Sequence, residues 1–398
     1  MSGLKLFFKT SYFAAAAMAI ALTSVGHAQT KSDKFKIGGV VPLSGTYGIL
    51  GEDMRRGVQL AIEERGGKVL GVPIEVVWED DETKPQPAVQ KATKLISEGA
   101  HMIFGAGSSA ATLAVINVTK QRKIPQLVTI STDDKITIPD GSRYLFRTSN
   151  NLDSSNRMSI AYAQQRKLKK IYAVVTDYQA MRDSSQAIRK QAEQDGIEIV
   201  GEDFTALGSR DYSSIVDKIV KSDADGVLLV LAGSDVVTFL KQAGQVNLSK
   251  TKAIFGPIAV DETVAAAVGP VALGASSGLH YHHSIENSAN KKFVEAYRKK
   301  FGGLPGMNAG EAYDGMAWWL DTIEKTGSWD KEAWVDAFAT SVRENSIEGK
   351  KTMRACDHQA SQPGIWAEVV PGAAPSTVTM KVTAAFTESK LFPEACKR

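Results

Sequence analysis

Long hydrophobic runs, charge of one sign, cysteine and histidine are all scarce in this sequence. Beyond the first 28 residues, no stretch is long and apolar enough to cross a bilayer. The 47 lysines and arginines nearly balance 44 aspartates and glutamates, leaving a formal net charge of +3. That balance gives no electrostatic footprint for nucleic acid or an anionic membrane surface as partner. Two cysteines and six histidines leave little material for a thiolate or imidazole centre. No serine stands with a base and an orienting acid in one loop, and no Gly-x-Ser-x-Gly nucleophile elbow is read in the chain. Catalysis, a cofactor and a bound metal are therefore not expected.

What is present begins with an export pattern. Lys5 and Lys9 precede a short apolar run, Phe13 to Leu22, and Gly26-His27-Ala28 supplies the small residues a signal peptidase reads. Cleavage is expected after Ala28, releasing the chain into a periplasm-like space. No cysteine follows the apolar run, so a lipid anchor is not expected. Removing this segment takes away two lysines and no acid, and the formal charge falls from +3 to +1. The remaining 370 residues are enough for two cores of roughly 100–200 residues each. In an oxidising compartment the even pair Cys356 and Cys396 favours a disulfide, with two separate thiols the alternative.

The mature chain alternates short β-branched runs with helical patterns, which predicts parallel sheets flanked by helices. Strands are expected at Phe35–Pro42, Ile74–Trp78, His101–Phe104, Gln126–Ile130, Ile171–Thr176, Ile197–Phe204 and Gly226–Leu231. Two segments read as copies of one unit. The run Gly99 to Ser108 and the run Asp225 to Ser234 each pass from a turn through a strand to a Gly-Ser helix start. Such a repeat suggests two similar α/β lobes, against chance likeness of two βα units. Helices near 290–301, 310–325 and 331–341 return the chain to the first lobe, and a Pro/Gly-rich tail with short strands closes it.

Open parallel sheets bind ligands beyond the carboxyl ends of their strands. The loops expected there are 43–51, 105–110, 131–134, 177–183, 232–235 and 256–261, rich in Gly, Ser, Thr and Tyr. Gly105-Ala-Gly-Ser-Ser-Ala110 is close to a dinucleotide fingerprint, but it follows the third strand and no acid stands about 20 positions on. The same amides and hydroxyls suit a smaller anion such as a carboxylate, or simply cap the helix. His280-Tyr-His-His283 invites a metal, yet no Cys, Asp or Glu accompanies it at zinc-ligand spacing. On a strand, His280 and His282 would share a face and His283 the other. Tyr313, Trp318, Trp319 and Trp334 sit on helical patterns and are read as core.

Several segments together resemble the leucine/isoleucine/valine-binding family of periplasmic ABC-transporter receptors. They are the opening KIGGVVPLSGTYGILGEDMRRGVQLAIEERGG, then DDETKPQPAVQKATKLI, GAGSSAATLAV and AYDGM. The likeness covers nearly the whole mature chain. It implies a type I periplasmic binding fold, an α/β architecture of two Rossmann-like lobes joined by a three-strand hinge. Crossovers are expected near Arg147, Tyr281 and Gln362. They divide the chain, after the 1–28 signal, into 29–147 plus 282–361 and 148–281 plus 362–398.

The resemblance implies that a ligand carboxylate is held at Ser108, Ser109 and Ala110 and at Ser131 and Thr132. Tyr47 and Gly233, from two further cleft loops, join the candidate set. The aromatic of the second lobe's first cleft loop falls at Met181, with Tyr178 close. The acid that pairs a ligand ammonium in amino-acid receptors is matched here by the apolar Ile258. Asp177, Asp183 or Asp261 would have to replace it; otherwise the ligand is an aromatic or aliphatic acid without the amine. The implied function is capture of a hydrophobic or branched-chain amino acid or a related small carboxylate for the membrane permease of an ABC importer, by a monomeric receptor. An exported hydrolase is the contrasting reading.

Overall fold

The computed structural model describes Met1, residues 32–138 and residues 141–393. The rest of the expected export segment and Cys396 lie outside the described residues, so neither the cleavage after Ala28 nor the Cys356–Cys396 pairing is described.

Two sheets organise the molecule. The first runs in space Lys68–Val69, Val72–Asp80, Phe35–Val41, Met102–Gly105, Gln126–Val128, Leu145–Arg147. Its strands pair in parallel except for the antiparallel hairpin of the first two, with Phe35 opposite Ile74 and Ile37 opposite Met102. Phe35, Ile37, Val40 and Val41 are all fully buried. A strand covered on both faces needs apolar residues without alternation, and this one has them.

The second sheet is ordered Val378–Phe386, Gly364–Pro371, Ser276–Leu279, Ala253–Gly256, Gly226–Val230, Lys170–Thr176, Glu198–Thr205. From Ser276–Leu279 onward its five strands follow the order of the first sheet read from Leu145–Arg147 back to Val72–Asp80, as the internal repeat suggested. The tail departs from expectation. In place of short strands it forms a hairpin of eight and nine residues, added antiparallel to the edge of this sheet.

The chain passes between the sheets three times: after Arg147, after Leu279, and between Ser361 and Gly364. Arg147 bridges Gln359, which ties the first passage to the third. Two lobes joined by three crossovers are the type I periplasmic binding architecture.

Helix Met307–Thr326 returns to the first lobe and lies on helix Gly48–Glu64. The latter starts at Gly48, inside the expected loop 43–51 and four residues before Glu52, in spite of its glycines. A Cβ on Gly51 would fall 1.8 Å from the Pro42 carbonyl oxygen, and one on Gly57 would fall 2.2 Å from that of Ala309. Close approach of backbone to backbone here outweighs helix propensity. Trp318, Trp319 and Trp334 fill the first lobe's core with Phe35 and Phe146, as expected, while Tyr313 is partly buried against it.

Candidate functional site

The carboxyl ends of the parallel strands in both lobes meet at one cavity. On the first lobe's side, strand Met102–Gly105 leads through the Gly-Ser loop to helix Ser109–Arg122. The Ser108 hydroxyl accepts a hydrogen bond from the Ala111 amide at 3.3 Å, so it caps this helix. Ser109 is buried on the cavity wall, and its hydroxyl accepts from the Asp133 amide at 3.3 Å. The Ser131 hydroxyl donates to the Ala106 carbonyl at 2.9 Å and lies 2.7 Å from the Thr112 hydroxyl. Thr132 lines the cavity beside it.

Arg147, fully buried at the first crossover, fixes this loop from behind. Its guanidinium donates to the carbonyls of Ser131 at 3.1 Å and Asp133 at 2.7 Å, and to the Thr137 hydroxyl at 2.8 Å. Burial lowers its pKa to about 10, which leaves it cationic at neutral pH.

The second lobe supplies Tyr178, Met181, Gly233, Ile258 and Ala259. Tyr178 and Met181 stand at the start of helix Gln179–Gln194. The Tyr178 hydroxyl is 3.1 Å from that of Tyr47 on the opposite lobe. Burial pushes the Tyr47 phenol well above its ordinary pKa and that of Tyr178 up to about 12, so both stay neutral.

Further contacts close the lobes on one another. The Ser234 amide donates to the Thr46 carbonyl at 2.9 Å, Lys135 pairs with Asp183 at 2.6 Å, and the Thr263 hydroxyl donates to Asp53 at 2.5 Å. Burial, then the charge of Asp261, pushes the Asp53 carboxyl up to about 7.

The remaining wall is polar and comes from Asp261, His280, Asn308 and Glu311. Asp261 accepts from the amides of Val264 at 2.9 Å and Met307 at 3.1 Å, and burial raises its pKa. Both Glu311 oxygens are buried without a hydrogen bond, 3.3 Å from His280 Nδ1 on one side and 3.5 Å from Lys351 Nζ on the other.

The fold thus brings together Tyr47, Ser109, Ser131, Thr132, Tyr178, Met181, Gly233 and Ile258. Ser108 does not line the cavity because its hydroxyl is used as a cap, and Ala110 is exposed on the outer face of the helix. Of the three acids considered for an ammonium, Asp177 pairs with Arg182 at 2.6 Å and Asp183 with Lys135; only Asp261 reaches the cavity. His280 is the cleft-edge histidine the sequence suggests, whereas Asn308 and Glu311 were not anticipated. Asn308 and Glu311 lie three apart on one helix face, a visible spacing, but no sequence signal says that this face meets the cleft.

Two readings of the histidine region need correction. The segment after Leu279 is not a strand, and the His282 and His283 rings lie together with centroids 4.0 Å apart. Gly274-Ala-Ser-Ser-Gly278 does have Gly-x-Ser-x-Gly spacing, yet Ser276 is buried at the start of strand Ser276–Leu279 and not on a turn into a helix.

Residues 34–374 match the periplasmic binding protein family. The Leu/Ile/Val-binding protein homolog 6 of Brucella melitensis is 29% identical over 317 residues, covering 78% of this chain and 80% of that protein. A solute-binding protein of an ABC transporter from Rhodopseudomonas palustris BisB5, solved with 3,4-dihydroxybenzoic acid, superimposes with a TM-score of 0.84. It is 26% identical, over 92% of this chain and 99% of that one. A second R. palustris solute-binding protein, solved with benzoate, gives 0.82 at 26% identity, over 89% and 97%. The chain belongs to the periplasmic binding protein family, the solute-binding components of ABC transporters.

Proposed function

We propose that this protein captures a small hydrophobic carboxylate, with aromatic acids of the benzoate class foremost, and delivers it to its permease. The observation that carries this reading is the composition of one cavity. The hydroxyls of Ser109 and Thr132 stand at the N-terminal end of helix Ser109–Arg122, across from Tyr47, Tyr178, Met181 and Ile258. Hydroxyl donors and a helix N-terminus favour an anion, and the aromatic and aliphatic side chains favour a ring. The aromatic acids held by the two similar solved proteins support the same class.

A second reading has its own observation. The carboxylates of Asp261 and Glu311 line the cavity and offer acceptors to the ammonium of a branched-chain amino acid. The name of the Brucella relative points that way. Asp261, however, already serves two backbone amides. Calorimetry with benzoate, 3,4-dihydroxybenzoate, leucine and valine separates the two. Micromolar or tighter binding, about −8 kcal/mol, is expected for an aromatic acid, with leucine at least roughly tenfold weaker. Leucine or valine binding tighter than every aromatic acid replaces the first reading with the second.

The same proposal includes ligand capture at Ser109, Ser131, Thr132, Tyr47, Tyr178, Met181, Gly233 and Ile258, and work as a monomer. It also includes the lobe division 29–147 plus 282–361 and 148–281 plus 362–398, export by cleavage after Ala28, and a Cys356–Cys396 disulfide. N-terminal sequencing and non-reducing peptide mapping of secreted protein test the last two. A mature chain starting elsewhere than Gln29, or two free thiols, refutes them.

A further inference from the structure

Outside the cavity lining, three side chains converge where the second crossover leaves the sheet. His282 and His283 follow strand Ser276–Leu279, and Glu262 opens helix Glu262–Val268. Glu286, the carboxylate next to these histidines in sequence, is not part of the cluster; the fold brings Glu262 from twenty residues upstream. His282 Nε2 and His283 Nδ1 each lie 3.8 Å from the same oxygen, Oε2 of Glu262. All three ligand atoms lie within 4.8 Å of one another.

Neither His282 Nε2 nor His283 Nδ1 makes a well-formed hydrogen bond, although both are buried, the His282 side chain is only 2% exposed and the Met380 backbone faces its ring. A separation of 3.8 Å is beyond hydrogen-bond range, so the carboxylate does not satisfy them as it stands. Two unsatisfied imidazole nitrogens aimed at one carboxylate oxygen require an explanation.

We propose that Glu262, His282 and His283 bind one divalent transition-metal ion of the zinc class. Zinc takes imidazole nitrogen at 2.0–2.1 Å and carboxylate oxygen at 2.0–2.2 Å, and tetrahedral donors then stand about 3.4 Å apart. The two 3.8 Å separations need to contract by about 0.4 Å and the nitrogen–nitrogen separation, within 4.8 Å, by up to about 1.4 Å, which calls for rotation of the side chains on metal binding. Two imidazoles with one carboxylate form a borderline donor set that suits Zn²⁺ better than Mg²⁺ or Ca²⁺.

The surroundings resemble an orienting shell. Glu262 Oε1 accepts from the Thr379 hydroxyl at 2.8 Å and Oε2 from the Met380 amide at 3.0 Å. His282 Nδ1 accepts from the Ser284 amide at 3.2 Å and lies 2.8 Å from the Ser284 hydroxyl, so metal at Nε2 requires the ring proton to move to Nδ1, where the hydroxyl can accept it. The His283 side chain is 16% exposed and leaves the fourth position to water. Because Glu262 directly follows the cavity residue Asp261, the ion would clamp the second crossover to the second lobe. All three ligands lie on that lobe or its crossover, so metal binding does not depend on which organic ligand the cleft takes.

The test uses untagged mature protein dialysed against EDTA. Titration with ZnCl₂ in a calorimeter is expected to show one equivalent bound at micromolar affinity or tighter. Co²⁺ is expected to give the intense visible absorption of a four-coordinate ion, bleached by added zinc. His283→Gln and Glu262→Gln should each weaken zinc at least tenfold while circular dichroism stays unchanged. Absence of stoichiometric zinc binding, or a pale octahedral Co²⁺ spectrum, overturns the proposal. So does undiminished binding in both variants. The cobalt spectrum of the unaltered protein decides the matter even if a variant fails to fold.

Discussion

Ser109 and Ala110 are neighbours in sequence, yet one faces the cavity and the other solvent. Successive helix residues point about 100° apart, so a loop-level match cannot assign both to one ligand. Ser109→Ala removes a donor expected to meet the ligand carboxylate. A hydrogen bond to a charged group contributes about 1.5–3 kcal/mol, so affinity for benzoate should fall roughly ten- to a hundredfold by calorimetry. Unchanged affinity would move the carboxylate elsewhere in the cleft. Ile258→Glu places a second anion in the same cavity and should weaken aromatic acids still more, by about 3 kcal/mol or greater, unless a cationic ligand compensates. Ser109, Ser131 and Thr132 were legible because they follow strand ends. Asn308 and Glu311 were not, because a helix some 200 positions later in the chain carries them to the same wall.

At the scale of elements, helix Gly48–Glu64 shows how packing overrides propensity. Apolar periodicity places its start near Glu52, and the glycines before it read as loop. The structure uses Gly51, and Gly57 further along the helix, for contacts with Pro42 and Ala309 that no other residue permits. Gly57→Val would drive its Cβ into the Ala309 carbonyl and push helix Met307–Thr326 away. Overpacking of this kind costs about 1–3 kcal/mol, which should appear as a lower urea midpoint with little change in slope. Since Met307, Asn308 and Glu311 ride on the displaced helix, ligand affinity should fall as well. The tail hairpin was underestimated for a related reason. Its strands carry Val, Ile, Trp and Thr, of good strand propensity, and their length comes from eight residue pairs within the hairpin, four residues of which also pair with Ser276–Leu279.

At the scale of the molecule, the described conformation is the closed one, with Tyr47 meeting Tyr178 and Asp53 meeting Thr263 across the lobes. A ligand that touches both lobes favours this form over the open one. Small-angle scattering should show a smaller radius of gyration once the true ligand saturates the protein.

Closure is also coupled to protons through Asp53. Asp261 faces its carboxyl from the second lobe, Glu52 and Arg56 from its own helix, and Tyr297 from helix Ser288–Phe301. The closed form holds the Asp53 pKa at about 7. Opening exposes the group and returns it toward about 4. Between those values the closed form binds more protons, so closure is favoured on the acid side and weakens as pH rises through about 7. Affinity for the ligand should therefore drop roughly thirtyfold from pH 5.5 to 8, and Asp53→Asn should flatten the profile. A wild-type profile without slope would mean that Asp53 is as buried in the open form.

The order of strands and helices, the repeat of one α/β unit and the family were determined by the sequence itself. Those features rest on local patterns, the period of apolar residues and the loops that follow strands, which act over a few neighbours. The composition of the cleft was decided by tertiary structure. Three crossovers bring together residues from 47 to 311, and the polar wall of Asp261, His280, Asn308 and Glu311 forms only once the chain has returned. The meeting of Glu262 with His282 and His283 has the same origin. Side chains twenty or two hundred positions apart become neighbours through the burial of whole elements, and no local pattern encodes that burial.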